Sequence, residues 1–139
     1  MIVLDTNVLL ELLRSEPERR VIEWIETQPD TSLFTTTVTQ GEILLGIAVL
    51  PSGRRRSALS LAARAIFEED MAARVLPFDG DAAVAFAEIG AARRATGRPI
   101  SQLDAMIAAI AQSRGAVLAT RNTRDFERCG VDLIDPWNP

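Results

Sequence analysis

Two hydrophobic patterns alternate along this chain: short unbroken apolar runs, and longer stretches whose apolar residues recur every three or four positions. Met1-Ile2-Val3-Leu4 is the first short run, and it passes straight into the polar triplet Asp5-Thr6-Asn7. A run of that kind bounded by turn-formers predicts a strand buried on both faces. The signature returns at Ala116-Val117-Leu118-Ala119, and a last strand is expected at Val131-Asp132-Leu133-Ile134. Ser32 to Thr36 is β-prone around Leu33 and Phe34, and Arg74 to Phe78 reads as a further strand that Pro77 assigns to a sheet edge. The helical period predicts helices over 8–14, 19–28, 40–50, 57–71, from Asp79 to a stop at Gly97, and over 102–114. Capping boxes are read at Ser15–Glu18 and Thr39–Glu42, a cap at Ser101, a basic loop at Arg54-Arg55-Arg56, and a polar turn with a short helix at 120–126. Strands alternating with helices mean an α/β fold with a mostly parallel sheet of four to five strands. No repeat, low-complexity tract or linker interrupts it, so residues 1–139 read as one domain.

Composition sharpens this picture where it excludes chemistry. The chain is 47% hydrophobic and 24% charged, as a globular domain is, with a net charge of −4. That charge counts against indiscriminate nucleic-acid binding by the whole surface and leaves a local basic patch open. Every basic residue is arginine; lysine and histidine are both absent. The single Cys129 allows no internal disulfide, which suits a reducing compartment. No basic segment leads a long apolar one near the start, and no run approaches membrane-spanning length. The expectation is a cytoplasmic protein with no membrane partner.

The acidic residues then become informative. Asp5 ends the first strand, Asn122 and Asp125 lie just past the strand at 116–119, and Glu42 and Asp104 fall in first turns of two helices. Each has a local explanation as a cap: Asp5 through the Thr6 or Asn7 amide, Glu42 in its box, Asp104 behind Ser101. If the first strand and the strand at 116–119 are neighbours, however, all of them can gather at one carboxyl edge, where α/β sheets bind ligands. Like charges brought together are costly, so a shared cation is the economical explanation. Without histidine and with one cysteine, zinc and copper sites of the usual type cannot be built. Clustered carboxylates suit Mg²⁺ or Mn²⁺, which can activate water and stabilise in-line displacement at phosphorus. The missing histidine also removes Ser-His-Asp, Cys-His and His-pair mechanisms, and no Walker loop or dinucleotide glycine fingerprint is present. A phosphoacceptor receiver would need a lysine, and a haloacid-dehalogenase phosphatase a second Asp where Asn7 stands.

The ordered set of motifs is more specific than any single one. Asp5-Thr6-Asn7-Val8-Leu9, Glu42-Ile43 with Gly46, Gly97-Arg98-Pro99-Ile100 followed by Asp104-Ala105-Met106-Ile107-Ala108-Ala109, and Leu118-Ala119-Thr120-Arg121-Asn122 with Asp125-Phe126 span nearly the whole chain. Together they resemble a PIN domain of the VapC type, the ribonuclease toxin of bacterial toxin–antitoxin pairs, and especially its FitB-like branch. The resemblance implies a metal-dependent endoribonuclease with Asp5, Glu42 and Asp104 as catalytic acids and ligands for Mg²⁺, with Mn²⁺ as substitute. It also implies supporting roles for Thr6 and Thr120. Where the family commonly carries a fourth acid this chain has Asn122, a neutral and weaker ligand; Asp125 is the nearby carboxylate that could take its place.

Arg93, Arg94, Arg98, Arg121 and Arg124 are expected phosphate contacts, and Arg54 to Arg56 more remote ones, with a solvated face as their default. The implied partners are a VapB/FitA-like antitoxin, structured RNA such as tRNA, and operator DNA only through the antitoxin. Surplus apolar positions at 19–28 and 40–50 further suggest a homodimer and a groove for a helical antitoxin segment. The alternative is a PIN-fold partner that acts mainly by binding antitoxin and DNA, with weak or no cleavage. The presence of all three core acids favours the enzyme.

Overall fold

The computed structural model describes residues 1–139. In chain order the elements are β1 (Ile2–Leu4), α1 (Thr6–Leu12), α2 (Arg19–Glu26), β2 (Leu33–Thr36), α3 (Thr37–Ala48), α4 (Arg54–Ala65), β3 (Val75–Leu76), α5 (Gly80–Ala95), α6 (Gln102–Ser113), β4 (Val117–Ala119) and β5 (Leu133–Ile134). The sheet has five strands in the order β3-β2-β1-β4-β5, and every pairing is parallel. The α/β fold, the mostly parallel sheet and the edge position of the strand carrying Val75 are therefore as expected. No helix is long and apolar enough to cross a membrane.

β1 is the centre of the sheet, and its neighbours explain its composition. Ile2 and Val3 pair with Leu33 and Phe34 on one side, and Ile2 to Leu4 with Val117 to Ala119 on the other. Successive strand residues point to opposite faces. Val3 and Leu118 thus enter a core closed by α5 and α6, whereas Leu4 and Ala119 enter a second core closed by α1 to α4. A strand that feeds two cores must be apolar at consecutive positions, which is why the run lacks alternation. The chain leaves β1 towards β2 on one side and returns to β4 on the other. The carboxyl end of β1 is thus a topological switch point, the crevice where such sheets bind ligands.

Several local readings are corrected. α1 starts at Thr6, directly behind its cap Asp5, and not at Val8. The box at Ser15–Glu18 does not form: Glu18 occupies the cap position of α2, makes no side-chain capping bond, and its amide donates to the buried Glu11 carboxylate at 3.4 Å. A tertiary acceptor has replaced the local one. The box at Thr39–Glu42 also fails, because α3 begins earlier and Thr36 caps it by accepting from the Thr39 amide at 3.0 Å. Arg54 to Arg56 are the first turn of α4 and not a loop. The helix predicted to run to Met71 changes at Ile66 into a π-helical turn over Ile66–Asp70. Gly97, at φ +71°, lies in the left-handed region and stops α5 as its sequence position suggested.

Candidate active site

The site grows from Asp5, which is 4% exposed at the end of β1. One carboxylate oxygen accepts from the Thr6 amide at 2.7 Å. The other accepts from the Thr120 hydroxyl at 2.8 Å and the Asn7 amide nitrogen at 3.2 Å. The cap reading of Asp5 holds but does not exhaust its contacts: it caps α1 with one oxygen while Thr120, just past β4, holds the other. Thr120 is itself oriented, since its oxygen accepts from the Asn122 amide at 3.1 Å. Asn7 completes the strap, its side-chain oxygen accepting from the Arg121 amide at 3.2 Å. The sequence offers Asn7 as a motif residue and, through its backbone amide, as a cap donor to Asp5; the part its side chain plays depends on β4 lying beside β1.

Glu42 enters from α3 by another route. The Thr6 hydroxyl donates to its Oε1 at 2.8 Å, and stands 3.0 Å from the Thr39 hydroxyl. Thr36 in turn donates to Thr39 at 3.3 Å. A hydroxyl has one proton to give. Thr6 spends its own on Glu42, so Thr39 is the donor to Thr6, and the chain runs from Thr36 through Thr39 and Thr6 to Glu42. Thr36 and Thr39 are fully buried, and sequence reasoning missed both as site residues. The threonine run 35–37 with Thr39 was a signal, but it was absorbed into a strand end and a capping box.

Asp104 lies in the first turn of α6, whose cap Ser101 accepts from the Asp104 amide at 3.3 Å. Asp125 sits in the 3₁₀ turn Thr123–Phe126, its amide donating to the Asn122 carbonyl at 3.0 Å. The Asp125 and Asn122 side chains are both exposed.

Electrostatics tie these residues together. Burial pushes the Asp5 carboxyl up to about 6 against the hydrogen bonds from Thr120 and Thr6, and the charges of Asp104 and Glu42 add to the rise. Asp104 is also raised, first by burial and then by the charge of Asp125, with the Ser101 hydrogen bond opposing. The acids are near enough to feel one another, yet no three of them close into a ready-made cage for an ion. Their chemistry is hard oxygen without imidazole or an accessible thiol, since Cys129 is buried. A divalent cation of the Mg²⁺ class fits that donor set.

The expected arginines divide. Arg94, Arg98, Arg121 and Arg124 are exposed; Arg98 lies 3.5 Å from Glu127, and the Arg121 guanidinium stands 5.0 Å over the Trp137 ring. Arg93 departs from the expectation of an exposed phosphate contact: it is buried, and its Nε and Nη1 donate to backbone carbonyls. A cavity of about 920 Å³ between α1, α3 and α4 adjoins the acids, with Asn7, Glu42, Leu10, Arg55, Arg121 and Trp137 on its wall. The apolar surplus of α2 is consumed by the core through Val21 and Trp24, while Leu44, Leu45 and Val49 on and just after α3 stay exposed.

The PIN domain family model matches residues 2–131. The VapC ribonuclease Y4jK of Sinorhizobium fredii is 41% identical over 139 residues, covering 100% of this chain and 99% of that protein. The tRNA(fMet)-specific endonuclease VapC of Shigella flexneri is 30% identical over 138 residues, covering 98% and 97% respectively. Among solved structures, that of FitAB bound to an IR36 DNA fragment superposes with a TM-score of 0.93 at 33% identity, covering 100% of this chain and 97% of that one.

Proposed function

The chain belongs to the PIN domain family, and on that premise we propose that it is a metal-dependent endoribonuclease, the toxin of a type II toxin–antitoxin pair. The observation that carries this reading is the buried Asp5 carboxylate, held by donors from α1 and from Thr120 just past β4 while Glu42 and Asp104 oppose its charge. Such an arrangement is costly for a fold that only needs a helix cap. It is explicable in one whose acids share a cation. Asp5, Glu42 and Asp104 would hold Mg²⁺, or Mn²⁺ in its place, with Asp125 or Asn122 as the fourth group. Bound there, the ion would lower the pKa of water and stabilise charge developing on the phosphodiester. The chain's own part is positional: Thr120 and Thr6 fix the Asp5 and Glu42 oxygens, and Arg94, Arg98, Arg121 and Arg124 offer charge to the RNA backbone.

The relatives support this setting by name, as a ribonuclease and a tRNA endonuclease, and tRNA is the substrate class we put first. The cavity beside α1, α3 and α4 suits a helical segment of a VapB/FitA-like antitoxin, and the exposed leucines of α3 suit a homodimer. Operator DNA would be reached only through the antitoxin, in the cytoplasm. The test is cleavage of total tRNA by the purified protein with Mg²⁺ or Mn²⁺, with chelator, and with Asp5→Asn. Cleavage that needs the cation and is lost in the variant is the expected result. Cleavage that persists in chelator, or no cleavage with either cation, would overturn the reading.

A further inference from the structure

Arg93 is the only buried arginine of the chain, and its charge meets no carboxylate partner. Its Nε and Nη1 donate instead to neutral acceptors on two connections, while Nη2 has no protein partner and keeps contact with solvent. Nε donates to the Arg98 carbonyl at 2.6 Å, and Nη1 to the carbonyls of Asp125 and Glu127, both at 2.9 Å. The Cys129 sulfur takes a further contact from Nη1 at 3.4 Å. A buried cation with only neutral partners is expensive, so the geometry it enforces needs a reason. Arg98 opens the turn that leads to the Ser101 cap and Asp104. Asp125 is one of the two candidates for the fourth group of the proposed site, and Glu127 and Cys129 continue the same connection from β4 to β5. The Arg98–Glu127 pair at 3.5 Å spans the same two segments from the surface, where an ion pair adds little, and Phe126 and Cys129 pack the connection into the core; the connection also includes Arg128 at φ +61°.

We propose that Arg93 is a positioning residue for the acidic site: its buried guanidinium ties the turn before α6 to the connection after β4, keeping Asp104 and Asp125 in register without touching substrate. The thiol of Cys129 reports the same neighbourhood, raised by burial and by Asp104 and lowered by Arg93. A planar fork can bridge carbonyls from two chain segments at once; a lysine keeps the charge but cannot reproduce the bridge. For its activity readout this inference rests on the nuclease reading.

The experiment compares the full chain with Arg93→Lys and Arg93→Met, well below their melting temperatures. In both variants, amide hydrogen exchange over residues 98–104 and 121–130 should quicken by about tenfold or more, with β1 and α1 unchanged. The kcat for RNA should fall by about tenfold or more while KM and its salt dependence stay as they are, because a misplaced acid slows chemistry and not encounter. A raised KM with a weaker salt dependence and intact kcat would make Arg93 a phosphate contact after all. A lowered Tm with unchanged kcat would reduce it to scaffold, and unchanged exchange in both segments would also overturn the proposal. If the wild type cuts no RNA, the nuclease reading falls by itself, and the exchange data alone decide the positioning role. Arg93→Lys carries the test if Arg93→Met does not fold.

Discussion

Asp5→Asn is expected to make the protein more stable at neutral pH in chelator, and its pH dependence isolates the cause. Burial pushes the Asp5 carboxyl up to about 6 in the fold, from an ordinary value of 3.8. A shift of that size corresponds to about 3 kcal/mol between the charged and neutral forms. The folded pKa is raised, so this contribution to stability is fully present below the unfolded pKa and is lost as pH rises through the folded one. Between about pH 5 and pH 7.5 the wild type should therefore lose roughly 1.4 kcal/mol on account of Asp5, or about 5 °C in Tm. Asparagine cannot charge, so it escapes that loss. It has a cost of its own: one oxygen still accepts from the Thr6 amide, but an NH₂ group now faces the Asn7 amide and the Thr120 hydroxyl. That mismatch costs about 1 kcal/mol at any pH, leaving a net gain of about 2 kcal/mol at neutral pH and only about 0.6 kcal/mol at pH 5. Paired thermal and urea melts of both proteins at the two pH values supply the measurement. The hydrogen-bond penalty cancels in the difference between pH values, so only the titration remains. Identical pH dependence in the two proteins would refute the reasoning, as would a wild type that gains stability relative to the variant on going to neutral pH.

Three further outcomes are expected. Saturating Mg²⁺ should raise the wild-type Tm, since a ligand bound only by the native state adds about 2.7 kcal/mol at a hundredfold excess over Kd; Asp104→Asn should lose most of that increment and RNA cleavage with it, as calorimetry and a cleavage assay would read. Asp125→Ala should weaken Mn²⁺ binding more than Asn122→Ala in isothermal titration, and the opposite order would give the fourth position to Asn122. Thr6→Val should leave Glu42 without its hydroxyl donor and reduce metal affinity by about 10–100-fold, with Thr6→Ser restoring it; equal affinity in Thr6→Val would show that the threonine chain does not orient Glu42.

What the amino-acid sequence determined by itself was whatever depends on near neighbours and on burial. Val3 and Leu4 had to be apolar in succession because one strand fills two cores, and that pattern is local. The Ser101 cap and the Gly97 stop were legible for the same reason, each resting on residues within a turn of itself. The acids themselves were legible through their motifs. What holds them was not. Glu42 looked like a capping-box residue, yet its partner is Thr6, and Thr36 caps α3 instead. Arg93 looked like one arginine among several on a surface helix, and only the packing of α5 against α6 and the β4–β5 connection turned it inward onto carbonyls 5 and 32 residues away. Thr120 reaches Asp5 across 115 residues because β4 pairs with β1. A hydrogen bond forms between whatever donors and acceptors the backbone brings within about 3 Å. Short-range pattern can say that Asp5 needs donors, but only the order of strands in the sheet decides which residues supply them.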